Sequence, residues 1–169
     1  MSKISGFNCS SCGKWHDELP FDFGADVPDL VYEIHPSERK TRVVGNSDFF
    51  VIDDKDYFAR GIIEIPILED ERTFNWGVWV SLSEKNFKRM TELVNSNERV
   101  NEPPYFGWLC TALPYSESTI NLKTMVHTQP VGLRPKIELE PTAHPLAVEQ
   151  KQGITMERVQ QIAERLLHG

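Results

Sequence analysis

The stretch YFARGIIEIPIL-EDER-TFNWGVWVSL, residues 57–82, decides the fold. Two runs rich in Ile, Val, Phe and Trp flank four consecutive charged residues. β-branched and aromatic residues in short runs read as strands. A break of hairpin length between them predicts antiparallel neighbours. Side chains alternate along a strand, so Tyr57, Ala59, Gly61, Ile63 and Ile65 share one face, and Phe58, Arg60, Ile62 and Glu64 the other. Arg60 and Glu64 flank Ile62 as a structural charge pattern. Trp76 and Trp79 fall on opposite faces of the second strand and, with Trp108, are expected as core anchors.

Outward from this hairpin the signals stay local. Residues 49–53 read as a strand, and residues 28–39 as a short helix broken near Pro36, because proline excludes its predecessor from helical geometry. Ser81 and Glu84 have capping-box spacing, and Phe87, Met90, Leu93 and Val94 recur at helical intervals, which predicts a helix over 83–95. Residues 97–104 end in a double proline and form a loop. Strands are expected over 105–113, 120–128 and 134–140, the last following the turn residues Gln129, Pro130, Val131 and Gly132. Thr155 is placed to cap a final helix whose stripe is Met156, Val159, Ile162, Ala163, Leu166 and Leu167. Strands and helices do not alternate regularly. The expected architecture is therefore α+β: one domain with a largely antiparallel sheet flanked by two main helices. Residues 1–46 would form an irregular, zinc-knuckle-like segment packed on the core of 47–169.

A chain of 169 residues, 40% hydrophobic and 25% charged, is ordinary globular composition and excludes disordered and fibrous classes. No apolar run approaches the roughly 20 residues of a membrane span, and the start MSKISGFNCSSCG has no apolar signal core. A soluble cytoplasmic protein is the expectation, with no membrane partner. The 25 acids outnumber the 18 Lys and Arg, giving a formal charge of −7. That balance argues against nonspecific nucleic-acid binding, which draws on cations that neutralise phosphates. Between Asp17 and Glu33 six acids occur with no Lys or Arg. They read as a solvated acidic face or as a docking surface for a basic protein partner.

Three cysteines, Cys9, Cys12 and Cys110, do not suggest a disulfide framework. Cys110 lies in an apolar stretch and reads as a small hydrophobe. Cys9-Ser-Ser-Cys12-Gly13, followed by His16, is the most specific motif. Two thiolates at C-x2-C spacing can hold one zinc ion, Gly13 accommodates the positive-φ turn that aims backbone N–H groups at sulfur, and His16 is a third donor within reach. A closed tetrahedral site requires a fourth ligand, for which His144, His35, His127, Asp17 and Glu18 are candidates. His144 leads, because Pro141 and Pro145 restrict its loop. Ordinary reduced cysteines and redox work are the other readings of the pair; Pro20 argues against the long helix that thioredoxin-like use requires.

Glu138 and Glu140 share a strand face ahead of His144. Together they suit general acid and base work or a catalytic metal, or else cross-strand pairing, with His144 satisfying a loop carbonyl. His127 lies on the polar side of its strand. No phosphate loop, dinucleotide fingerprint, nucleophile elbow or kinase signature is present.

Four strings occur together: Cys9-x-x-Cys12-Gly13-x-x-His16; Trp76-Gly-Val-Trp-Val-Ser-Leu-Ser-Glu84 with Asn86-Phe87; Pro103-Pro-Tyr-Phe-Gly-Trp108; and Arg134-Pro-x-Ile-Glu-Leu-Glu-Pro141 leading into His144-Pro-Leu-Ala147. In these the chain resembles the bacterial family called domain of unknown function 2199, over nearly its whole length. The resemblance implies a bacterial, single-domain protein. It marks the Cys-Cys-His and His-Pro-Leu-Ala segments as family features and carries over no catalytic residue. The leading functional expectation is a small, non-catalytic binding or interaction protein with a structural zinc held by Cys9, Cys12, His16 and His144. The rival is a metal-dependent hydrolase in which Cys9, Cys12 and His16 leave a coordination position for water.

Overall fold

The computed structural model describes residues 6–168. In chain order its elements are β1 (Phe7–Asn8), β2 (Trp15–His16), β3 (Asp22–Gly24), α1 (Arg39–Arg42), β4 (Val43–Gly45), β5 (Phe49–Ile52), β6 (Asp56–Pro66), β7 (Thr73–Leu82), α2 (Glu84–Glu92), β8 (Tyr105–Leu109), β9 (Lys123–His127), β10 (Lys136–Leu139), α3 (Pro145–Gln152) and α4 (Met156–His168). Helix and strand are mixed as expected. None of the described helices is long and apolar enough to cross a membrane.

The decisive hairpin forms as read, with Tyr57 opposite Leu82 and Pro66 opposite Thr73. The flat sheet expected around it does not: β6, β7, β8, β9 and β10 close into a five-stranded barrel. Strand length explains the closure. At 11 and 10 residues, β6 and β7 are long enough for each outer edge to serve two partners. β6 pairs antiparallel with β5 over residues 56–59 and then, at Ile62, in parallel with β10. β7 pairs in parallel with β3 over residues 75–77 and antiparallel with β8 at Val80 and Ser81. β8, β9 and β10 follow as antiparallel neighbours and carry the sheet back to β6. Gly61 permits that last approach, since a Cβ there would lie 2.5 Å from Ile137 Cδ1 and 3.0 Å from Pro135 O.

The two faces of the hairpin feed two cores. Ala59, Ile63, Ile65, Trp76 and Val80 join one cluster with Val126 and Ile137, with Leu146 of α3, and with Val159, Ile162 and Ala163 of α4. Phe58 and Trp79 lie in the other, with Val31, Ile34 and Ile52. Trp79 donates its indole N–H to Ala25 O at 2.9 Å, so its one polar atom is satisfied inside that core. Cys110 packs at the edge of the same cluster, as read. Trp108 is not a core anchor: it is 41% exposed on the outer face of β8, edge-on to Phe106.

Boundaries move for local reasons. β8 stops at Leu109, beyond which Trp79 N finds the Thr111 hydroxyl at 2.9 Å. β9 starts late because Asn121 has a φ of 67°, outside strand geometry. Residues 28–39 hold two short 3-10 turns divided at Pro36. Ser83 caps α2 through a bond from Asn86 N at 3.1 Å, and the Thr155 hydroxyl caps α4 through one from Arg158 N at 3.1 Å. The expected loop after Pro141 contains α3, with Pro145 in its first turn, where proline's missing N–H has no partner to lose.

Candidate metal centre

β1 and β2 form a small ribbon, with Phe7 opposite His16. Between them the chain reverses through a knuckle. Cys9 N donates to Lys14 O at 2.9 Å and Gly13 N to Cys9 O at 2.8 Å. Gly13 sits at φ 72°, the left-handed region that costs glycine no Cβ clash. The reversal places Cys9, which is buried, beside the exposed Cys12. Burial by itself raises the Cys9 thiol, but the backbone N–H groups of Cys12 and Ser11 donate to it and the net direction is downward, toward thiolate. Phe7 stacks on the His16 ring, 5.0 Å between centroids, and so holds the imidazole over the knuckle.

The last turn of α4 brings the fourth donor. Ligand atoms of Cys9, Cys12, His16 and His168 all lie within 4.8 Å of one another. Cys12 Sγ is 3.3 Å from His16 Nε2, and His16 Nε2 is 3.4 Å from His168 Nε2. Around a tetrahedral zinc, bonds of about 2.0–2.3 Å put neighbouring ligand atoms roughly 3.3–3.8 Å apart, so these two separations suit such an ion. Two soft thiolates and two imidazoles are also the donor types that zinc favours, and the two thiolate charges balance those of a divalent cation.

Glu164, one turn before His168, fixes the knuckle from behind. Its carboxylate accepts from the Ser10 hydroxyl, from Ser10 N at 2.9 Å and from Gln160 Nε2 at 2.9 Å. These bonds, the Ser10 hydroxyl foremost, hold its pKa below the usual carboxylate range. Gln160 also donates to Asn8 O at 2.9 Å. The knuckle and α4 are thus joined by polar contacts independent of any ion.

Of the four ligands named from sequence, the structure brings Cys9, Cys12 and His16 together and places His144 elsewhere. His144 is buried at the start of α3, where Nδ1 accepts from Leu146 N at 3.0 Å and Nε2 meets the carbonyls of Ser118 and Glu117 at 3.1 and 3.3 Å. This is the loop-carbonyl role rather than the ligand role. His35 bonds Ser37 and His127 bonds Glu138; neither joins the cluster, nor do Asp17 and Glu18. His168 was not among the ligands named from sequence: it reaches the knuckle only through the docking of α4, one turn after Glu164.

The other chemistry-bearing groups resolve into ordinary contacts. Glu138 pairs across strands with His127 at 3.2 Å, and Lys136 with Glu64 at 3.4 Å. Five of the six acids between residues 17 and 33 are exposed. The sixth, Asp29, accepts from Ala112 N at 2.8 Å.

The family model described as an uncharacterised protein conserved in bacteria, DUF2199, matches residues 8–154. The chain belongs to that family. The DUF2199 match takes in Cys9, Cys12 and His16 and ends ahead of His168. No curated protein and no solved structure matches the chain.

Proposed function

We propose that this DUF2199 protein is a single-domain, non-catalytic binding protein whose N-terminal knuckle is tied to its C-terminal helix by one structural zinc ion. The observation that carries this reading is the convergence of four soft and borderline donors, three from one short segment and one from α4, within 4.8 Å of one another, with Cys12–His16 and His16–His168 at tetrahedral separations. A hydrolytic zinc keeps a position open for water; a fourth protein donor, His168, supports a closed structural site instead. Thiolate ligands also suit a reducing, cytoplasmic setting.

Elemental analysis of untagged protein from zinc-replete cells tests the proposal. About one zinc per chain is expected, and its removal by a chelator should lower the melting temperature, because metal binding is linked to folding. Cys12→Ser should lower both zinc content and melting temperature. Metal-free protein, or a melting curve indifferent to the chelator, would overturn it.

A further inference from the structure

Away from the metal cluster, a cleft of about 550 Å³ opens where β5 leaves the edge of β6 and β10 joins it. The volume is in the range of small-molecule sites. Its walls are mixed. Phe49, Ile62, Met90 and Tyr105 line it together with Val131 and Leu133, the last two exposed to solvent. Three arginines also line it, Arg60, Arg99 and Arg134, against two acids, Asp48 and Glu102.

Both acids are already engaged. Asp48 pairs with Arg134 at 3.2 Å, and Glu102 accepts from Arg89 at 2.5 Å and from the Tyr105 hydroxyl at 2.6 Å. Arg99, only 9% exposed, has no acid partner among the described residues. Its guanidinium donates to three neutral carbonyls, Gln129 O at 2.7 Å, Val94 O at 2.8 Å and Leu133 O at 2.9 Å. Arg60, its side chain 15% exposed, donates from Nη1 to Ser47 O at 3.2 Å and lies 5.6 Å over the Trp79 ring; the acid nearest it is Asp26, 3.9 Å away and almost wholly in water. Arg99 thus has no acid partner among the described residues and Arg60 only an exposed one at 3.9 Å, an arrangement that favours an incoming anion.

A second observation agrees in sign. Among the described residues, two buried side-chain polar atoms have no hydrogen-bond partner, Arg60 Nε and Thr128 Oγ1. Both residues line this cleft. Arg60 Nε can only donate, so what it lacks is an acceptor, and the Thr128 hydroxyl is able to donate to the same acceptor.

We propose that the cleft binds a small organic carboxylate with an apolar body, its anionic head toward Arg60 and Thr128 and its body along Val131 and Leu133. The site names a ligand class for the binding role proposed above and does not depend on zinc.

Octanoate, octan-1-ol and octylammonium are the probes, titrated into zinc-replete full-length protein and followed by backbone amide chemical shifts. Octanoate should bind saturably and shift the amides of Arg60, Thr128 and Leu133; octan-1-ol should bind at least about tenfold more weakly and octylammonium should not bind. Arg60→Gln should erase the preference for octanoate over octan-1-ol. Leu133→Asp, at an exposed position, should weaken octanoate by about tenfold or more with zinc content and melting temperature unchanged. Equal affinity for the acid and the alcohol, no saturation up to the solubility of octanoate, or wild-type affinity in Leu133→Asp would overturn the proposal. Zinc measured in the same samples separates that failure from failure of the proposed structural zinc site.

Discussion

The two nitrogens of an imidazole can each hold one partner, and the two histidines most relevant to the metal cluster use theirs differently. His144 spends both inside the protein, accepting from Leu146 N to start α3 and meeting the Ser118 and Glu117 carbonyls with the other nitrogen. His168 turns Nε2 toward His16 Nε2 at 3.4 Å. His168→Ala should therefore speed zinc loss to a chromogenic chelator. His144→Ala should leave zinc retention alone while costing about 1 kcal/mol of stability, the usual consequence of losing a helix cap. Parallel chelator and denaturant titrations check the pair, and the reverse pattern would restore His144 to the site. Cys9, Cys12, Gly13 and His16 were legible beforehand because their geometry is set within one turn of chain. His168 was not, because its approach depends on where α4 docks, and no local spacing encodes that.

At the level of elements, the β6–β7 hairpin is closed by chemistry within its own loop. Asp70 accepts from Arg72 N at 2.8 Å and from Arg72 Nε and Nη2 at 2.9 and 2.8 Å, while the guanidinium lies 4.4 Å over the Phe21 ring. The Arg72 guanidinium and backbone N–H hold the Asp70 carboxyl well below the usual carboxylate range. A carboxylate depressed on folding adds stability that is complete above its unfolded pKa of about 3.9 and is lost as pH falls toward the folded value. Asp70→Asn should accordingly lower the melting temperature at pH 7, with the gap to wild type narrowing once the pH drops below about 4. Melting curves across that range test it, and a pH-independent gap would sink it. The hairpin itself was readable from its alternation. Helix α3 was hidden because Pro145-Leu-Ala-Val shows no helical stripe and histidine is an unusual cap. Strands β1, β2 and β3, of two or three residues each, are too short to leave any period.

For the molecule as a whole, closure of the barrel rests on one crowded place. At Gly61 the side chain of Ile137 and the carbonyl of Pro135 occupy the space a Cβ would need. Gly61→Ala should cost about 1–3 kcal/mol through overpacking, and should hasten hydrogen exchange at Ile62, whose N–H donates to Pro135 O at 2.9 Å. Unchanged stability and exchange would show that the seam yields freely. Closure was illegible in the sequence for a related reason: each strand was identifiable by composition, but the parallel pairing of Ile62 with Lys136 joins distant segments, and no local pattern names a partner. The proposed zinc link between the knuckle and α4 has a mechanical consequence as well. With an ion bound, a pulling force applied between the segment ahead of Cys9 and the residue after His168 passes through sulfur, metal and imidazole. The barrel between them then sits in a loop closed at the ion, shielded from tension until the coordination bonds and the Asn8–Gln160 and Ser10–Glu164 contacts beside them give way.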